Sequence, residues 1–294
     1  MNRARLLVLG ARPRTLPAAA APVVVGCAVA FAERGLRVVP AFATLAFALL
    51  IQIGTNYVND VLDFERGTDT PARVGPVRVT QAGLLAPRAV KLAAAAAFGL
   101  AALAGAWLAS VAGWPLVVIG VVSILCGIAY TGGPWPLAYN GLGDLFVMVF
   151  FGFVAVCGTV FIQLGRVTPL AWAASVPVGA LATAILVVNN VRDAATDRVA
   201  GRRTLPVVFG RRAGVVEYAL LVGLAFAAPP AIVLGRLAGP WVLLPFVLAP
   251  VALRLASQVA TEAGTALNAT LAATAKLLLL FAILLAVGIV IRSR

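Results

Sequence analysis

The chain alternates long apolar runs with short polar breaks. A spanning helix needs about 20 mostly apolar residues, and runs of that kind lie near 16–33, 38–58, 88–110, 114–131, 142–163, 169–190, 214–235, 239–257 and 274–291. The pattern predicts an all-α membrane protein, a single integral-membrane domain over 1–294 with about nine transmembrane helices. Residues 90–108 are rich in alanine and glycine, which suits close helix packing in lipid. Gly-Pro and Pro-Trp pairs at 133–136 and 239–241 mark turns. Arg3 and Arg5 precede a run ending in Ala28-Val29-Ala30, the outline of a signal peptide. Pro17 and Pro22 interrupt that run and many spans follow it, so it reads as an uncleaved first helix.

Composition agrees with the pattern. Hydrophobic residues make up 62% and charged residues 11%, against roughly 25% charge in a soluble domain. The absence of histidine removes Ser-His-Asp and Cys-His triads and His-ligated zinc or haem. Net charge is +13, yet the cations sit in short loops between apolar runs, where they set topology; no nucleic-acid partner is expected. With a cytoplasmic N-terminus, 17 of the 23 cations fall on inner segments. That asymmetry puts the long polar loops 59–87 and 191–213 in the cytoplasm. Cys27, Cys126 and Cys157 lie inside apolar runs and read as small core residues.

The acids then become informative. Four of the ten fall in 56–69 and two in 189–197. Adding 130 carries Asn59 to Asn189, Asp60 to Asn190 and Asp63 to Asp193, which suggests two similar halves with facing sites. Residues four apart share a helix face. One face then carries Asn56, Asn59 and Asp63, and the other Asn189, Asp193 and Asp197. Such oxygen-only faces suit Mg²⁺, which is usually held by one or two carboxylates plus substrate phosphates. A plainer reading makes them helix caps and ion pairs such as Asp60–Arg66 or Asp193–Arg192. Two related stretches on one membrane side favour a metal–diphosphate site with Asn59, Asp63, Asp193 and Asp197 as ligands and Asp60 among the catalytic acids.

Cations suited to a diphosphate surround both stretches: Arg66, Arg73 and Arg78 near the first, Arg192, Arg198, Arg202 and Arg203 near the second. Arginine forks match phosphate oxygens. Arg12 and Arg14, at the mouth of the first helix, could bind a substrate carboxylate. The Gly/Pro loop 130–144 brings Tyr130, Trp135 and Tyr139 to the same side, with Asp144 beginning the next span.

The ordered motifs ARPRTLP (11–17), GTNYVNDVLDFERGTD (54–69), GPVRVTQAG (75–83), YTGGPWPLAYNGLGD (130–144) and NNVRDAATDRVAGRRTLPVVFG (189–210) resemble the UbiA superfamily of membrane prenyltransferases. Within it they are most similar to the 1,4-dihydroxy-2-naphthoate branch. The resemblance implies a bundle around a central cavity open to the cytoplasmic side of a bacterial inner membrane. It also implies Mg²⁺ and prenyl diphosphate bound by Asn56, Asn59, Asp60 and Asp63 and by Asn190, Asp193 and Asp197. Arg66, Arg73, Arg78, Arg192, Arg198 and Arg203 are the expected diphosphate contacts. Arg12, Arg14, Tyr130, Tyr139 and Asp144 are expected around the aromatic acceptor. Two departures stand out: Trp135 where relatives often carry a basic residue, and Arg203 for the frequent lysine of the AGK motif.

The implied reaction moves a polyprenyl group from polyprenyl diphosphate to 1,4-dihydroxy-2-naphthoate with loss of CO₂ and diphosphate, giving demethylmenaquinol in menaquinone biosynthesis. Its long tail would lie among the helices, open to the lipid bilayer. Rival readings are another acceptor (4-hydroxybenzoate, homogentisate or a tetrapyrrole) and an ion-coupled carrier. A carrier predicts acids near mid-span, whereas six of ten here lie at helix ends.

Overall fold

Proline stands at the first or second position of five of the longer helices and glycine or a left-handed residue ends several of them, so the apolar runs become discrete rods. The computed structural model describes residues 2–69 and 74–291. Its order is α1 (Arg3–Ala11), α2 (Leu16–Ala32), α3 (Val38–Glu65), α4 (Pro87–Ala112), α5 (Pro115–Ala129), α6 (Gly143–Val147), a π-helical stretch (Met148–Val154) and α7 (Ala155–Leu164). Then follow α8 (Pro169–Val199), α9 (Leu205–Phe209), α10 (Arg211–Leu234), a 3-10 stretch (Pro240–Leu248), α11 (Ala249–Thr261) and α12 (Leu267–Ile291). No strand occurs among the described residues. The protein is a multi-pass helical membrane protein.

Among the described residues, eight stretches are long and apolar enough to cross a bilayer. The run expected at 114–131 is shorter: α5 has 15 residues, a rise of about 22 Å against a hydrocarbon core of about 30 Å. It still carries the chain back along the bundle. Gly120 of α5 and Gly105 of α4 both face Phe47 of α3, and Thr131, just beyond α5, donates to Asn59 Oδ1 at 2.8 Å.

Two expected boundaries are corrected. The runs ending at 58 and 190 continue as helix to Glu65 and Val199, so Asp60, Asp63, Asp193 and Asp197 lie on helix, as their shared-face spacing requires, while Asp69 lies in the loop after α3. Apolar periodicity fades there because those turns are buried by polar partners: Asp60, Asp63, Asp193 and Asp197 are all buried. Helix α1 is a further addition to the expected spans. Asn2 caps it by accepting from Arg5 N, and Arg12, at φ 52°, ends it in the left-handed region.

Helices α2, α7, α8, α10, α11 and α12 share the largest core, with Val25, Val178, Leu181 and Phe281 wholly buried. Against lipid, burial of such side chains brings little hydrophobic gain, so close fit and interhelical hydrogen bonds hold the bundle. The π-helical stretch shows that fit. A Cβ on Gly152 would lie 2.9 Å from Gly179 Cα and 3.0 Å from Ser175 O, so the two backbones touch where glycines face. A second cluster joins α3 and α4, with residues of α1 packed against it. The three cysteines are unpaired thiols within helices; Cys157 is buried as a core residue, while Cys27 and Cys126 are only half-buried.

Candidate active site

The last two turns of α3 turn Asp60 and Asp63 into protein, while Glu65 is exposed and pairs with Lys91. Asp63 is 1% exposed. Its Oδ1 accepts from the Tyr139 hydroxyl at 2.9 Å and lies 3.0 Å from Arg202, while its Oδ2 lies 3.0 Å from Arg78. Arg78 also reaches Asp69 at 3.0 Å and donates to the Asn59 carbonyl. The loop after α3 therefore folds back over the helix end through one arginine.

Asp60 is oriented differently. Its two oxygens accept from the backbone amides of Val79 (3.1 Å) and Thr80 (2.9 Å), and Arg12 lies 3.9 Å from Oδ2. This carboxylate pins the loop and leaves no oxygen turned to a ligand. Asn56 donates to Ala11 O and Thr15 Oγ1, which ties the α1–α2 break to α3.

The second stretch lies on α8. Arg192 forks Asp193, with Nε to Oδ1 at 2.8 Å and Nη2 to Oδ2 at 2.6 Å, and also holds Asn189 and Asn268 of α12. The plainer reading as an ion pair thus applies to Asp193 in this state. Asn268 in turn donates to Val74 O, so α8, α12 and the loop after α3 are linked. Asn190 donates to Asp144 Oδ1 at 3.2 Å.

Between the two helix ends sits Arg202. After α8 ends, Gly201 (φ +73°) turns the chain, and Arg202 N returns to Asp197 O. Its guanidinium lies 3.0 Å from Asp63 and 3.5 Å from Asp197 and 4.6 Å above the Tyr139 ring. Burial disfavours the charge, but Asp63 and Asp197 outweigh it and raise the Arg202 pKa.

A cavity of about 280 Å³ begins at Asn59, Asn56 and Tyr130 and runs between α3, α5 and the π–α7 stretch. Its walls beyond that end are mainly apolar, including Ile51, Phe47, Ile119 and Phe150. Burial, then the Asp144 charge, raises the Tyr130 pKa, so this phenol at the cavity's polar end stays neutral.

The expected residues therefore divide. Asn59, Asp63, Arg78, Tyr130 and Tyr139 meet at the end of α3, and Arg202 joins them to Asp197. Arg66 is exposed, donating to Gly133 O at 2.6 Å and lying 5.5 Å from the Tyr139 ring centre. Arg14 is exposed. Arg198 is exposed and donates to Val207 O. Arg203, the expected diphosphate contact, is exposed and only its backbone N–H is engaged, with Tyr139 O. The Gly201 turn sends neighbouring arginines in opposite directions, and the inward one is Arg202. Arg73 lies outside the described residues. Sequence reading gave no role to Asp69 or Thr131, although both lie within the quoted motifs, nor to Asn268, which lies in none of them.

Among the described residues no group of three acidic or thiol side chains is spaced to hold a metal ion. The donor chemistry nonetheless fits a hard divalent cation: oxygen ligands from two helices converge, and a guanidinium stands between Asp63 and Asp197 where cationic charge is wanted.

A model of the UbiA prenyltransferase family matches residues 19–280. The chain belongs to the UbiA prenyltransferase family. It is 42% identical over 257 residues to the 1,4-dihydroxy-2-naphthoate octaprenyltransferase of Mycobacterium tuberculosis, covering 87% of each chain. It is 32% identical to the Bacillus subtilis protein of the same name, over 81% of this chain and 77% of that one. A solved UbiA homologue from Archaeoglobus fulgidus bound to DMAPP and Mg²⁺ shares the fold with a TM-score of 0.65 at 15% identity, over 97% of this chain and 98% of that one.

Proposed function

We propose that this UbiA family member transfers a polyprenyl group from polyprenyl diphosphate to 1,4-dihydroxy-2-naphthoate, releasing diphosphate and CO₂, and so makes demethylmenaquinol for menaquinone. The observation that carries the donor half is the apolar passage whose polar end, at Asn59, lies one helical turn from Asp63 of the Asp63–Arg202–Asp197 bridge. A tail fits the passage and a diphosphate fits the charged end. The acceptor half rests on the relatives, whose names state the naphthoate and whose sequences align over most of this chain. The arginine bias toward the ends that carry the acids supports a cytoplasmic site in the bacterial inner membrane.

In this reading Arg202 and Arg78 turn from the carboxylates toward the diphosphate and stabilise charge as the C–O bond breaks. Mg²⁺, which the Archaeoglobus fulgidus homologue was solved bound to together with DMAPP, would neutralise the leaving diphosphate when held by Asp63, Asp193 and Asp197 with Asn59. The electron pair leaves with diphosphate. The apolar walls exclude water from the allylic cation. The ring carbon that bears the carboxylate attacks it, and CO₂ departs to restore aromaticity. Tyr139 orients Asp63, and Asp60 positions the loop that bears Arg78. Arg12, beside Asp60, supplies positive charge for the acceptor carboxylate, and neutral Tyr130 borders the acceptor ring.

The test is transfer from radiolabelled polyprenyl diphosphate in membranes, with and without Mg²⁺, beside Asp193→Ala. Mg²⁺-dependent naphthoate prenylation that falls about 10²-fold or more in the variant is expected. Transfer only to 4-hydroxybenzoate would overturn the acceptor. Transfer to no acceptor would overturn the enzyme reading.

A further inference from the structure

Arg192, one of the expected diphosphate contacts, has its side chain 0% exposed. Its guanidinium gives Nε and Nη2 to the two oxygens of Asp193, Nη1 to Asn268 at 2.8 Å, and Nη2 also to Asn189. Every one of these acceptors is protein, and none of the fork is open to a diphosphate. Arg202 differs: its side chain is 16% exposed and lies between carboxylates of two helices. Arg192 therefore serves Asp193 rather than the donor.

A buried carboxylate without a positive partner is strongly disfavoured, so a metal site that stays folded while empty needs cations of its own. Arg202 serves Asp63 and Asp197 in this way, and Arg192 serves Asp193. The pair is also built to part. Asp193 follows Arg192 on the same helix and keeps 8% of its side chain exposed, so its carboxylate changes partner by side-chain rotation alone. Asn189 and Asn268 are neutral acceptors on the same guanidinium, and Asn268 is itself fixed by donating to Val74 O at 3.1 Å. They keep the fork hydrogen-bonded when Asp193 lets go, which lowers the cost of separating a buried pair.

We infer that Arg192 is an internal stand-in for the divalent cation: it neutralises Asp193 while the site is empty, gives the carboxylate up when the ion arrives, and so sets the ion concentration the protein needs. This rests on the prenyl-transfer reading of the same site. A competing cation weakens metal binding when present and tightens it when removed, whereas a diphosphate contact or a ligand-supporting group does the reverse.

The test measures Mn²⁺ bound by the full-length protein in lipid vesicles, from the free-ion signal in electron paramagnetic resonance, with melting recorded in parallel with and without Mg²⁺. Arg192→Gln removes the competing charge. It is expected to bind Mn²⁺ about tenfold more tightly, the scale on which groups behind a ligand change metal affinity. It should also melt lower without metal and regain the difference in Mg²⁺. Arg192→Lys, which keeps the charge, should stay near the unmodified protein, and Asp193→Asn added to Arg192→Gln should cancel the gain. Should Arg192→Gln fail to fold without metal, Asn268→Asp makes the comparison. It gives Arg192 a second carboxylate, frees Asp193, and should also tighten Mn²⁺ binding, a gain that Asp193→Asn again removes. Unchanged, weaker or undetectable Mn²⁺ binding by these variants, when the unmodified protein transfers prenyl groups, overturns this inference alone. Transfer to no acceptor by the unmodified protein overturns the functional reading, and the assignment of Arg192 with it.

Discussion

Adjacent arginines carry different weight once their directions are known. Arg202 bridges two buried carboxylates and stacks on Tyr139, whereas the side chain of Arg203 is exposed. Arg202→Ala should lower prenyl transfer about 10²-fold, and Arg202→Lys should fall between, since an ammonium lacks the fork. Arg203→Ala should stay within about twofold, as surface changes do. Parallel assays of the three variants check this, and equal losses at 202 and 203 would refute it. Asp60 makes a stability prediction. Asn at 60 would turn an NH₂ toward one of the two amides of Val79 and Thr80, costing about 1–3 kcal/mol, read as a lower melting temperature in detergent. The motif showed both aspartates of α3, but only the fold separates Asp63, which faces the other helix, from Asp60, which holds a loop. Side-chain direction after a glycine turn is not written in local spacing.

At the scale of elements, apolar periodicity located the helices well and their polar ends poorly. Hydropathy stops at 58 and 190 because the following residues are polar, while the helices persist because protein groups, not lipid, surround those turns. The π-helical stretch and the short α5 also lack a periodic signature. Contact between the π stretch and α8 depends on bare backbone at Gly152 and Gly179. Gly152→Ala should therefore destabilise by about 1–3 kcal/mol, the cost of overpacking. Gly223→Ala, on α10 with nothing within 4 Å of the added atom, should be neutral or gain up to about 1 kcal/mol from helix propensity. Thermal melting of the two variants gives the comparison, and similar shifts would count against the packing argument.

Across the whole molecule, the acid-bearing ends of α3 and α8 are 130 residues apart in sequence and joined by one guanidinium. Asp63→Asn and Asp197→Asn should then be non-additive in stability without Mg²⁺, with a coupling of about 0.5–3 kcal/mol. A double-mutant cycle on melting measures it, and simple additivity would mean that Arg202 serves the two carboxylates independently.

The amino-acid sequence alone determined the class of molecule, the helical rods, the two acid-bearing stretches and the family resemblance, because hydropathy, residue type and short spacings are local properties. Tertiary structure decided which of neighbouring charged residues turn inward and how far α3 and α8 continue. Those outcomes depend on what surrounds a residue: the Gly201 turn and the partners that bury a polar helix end.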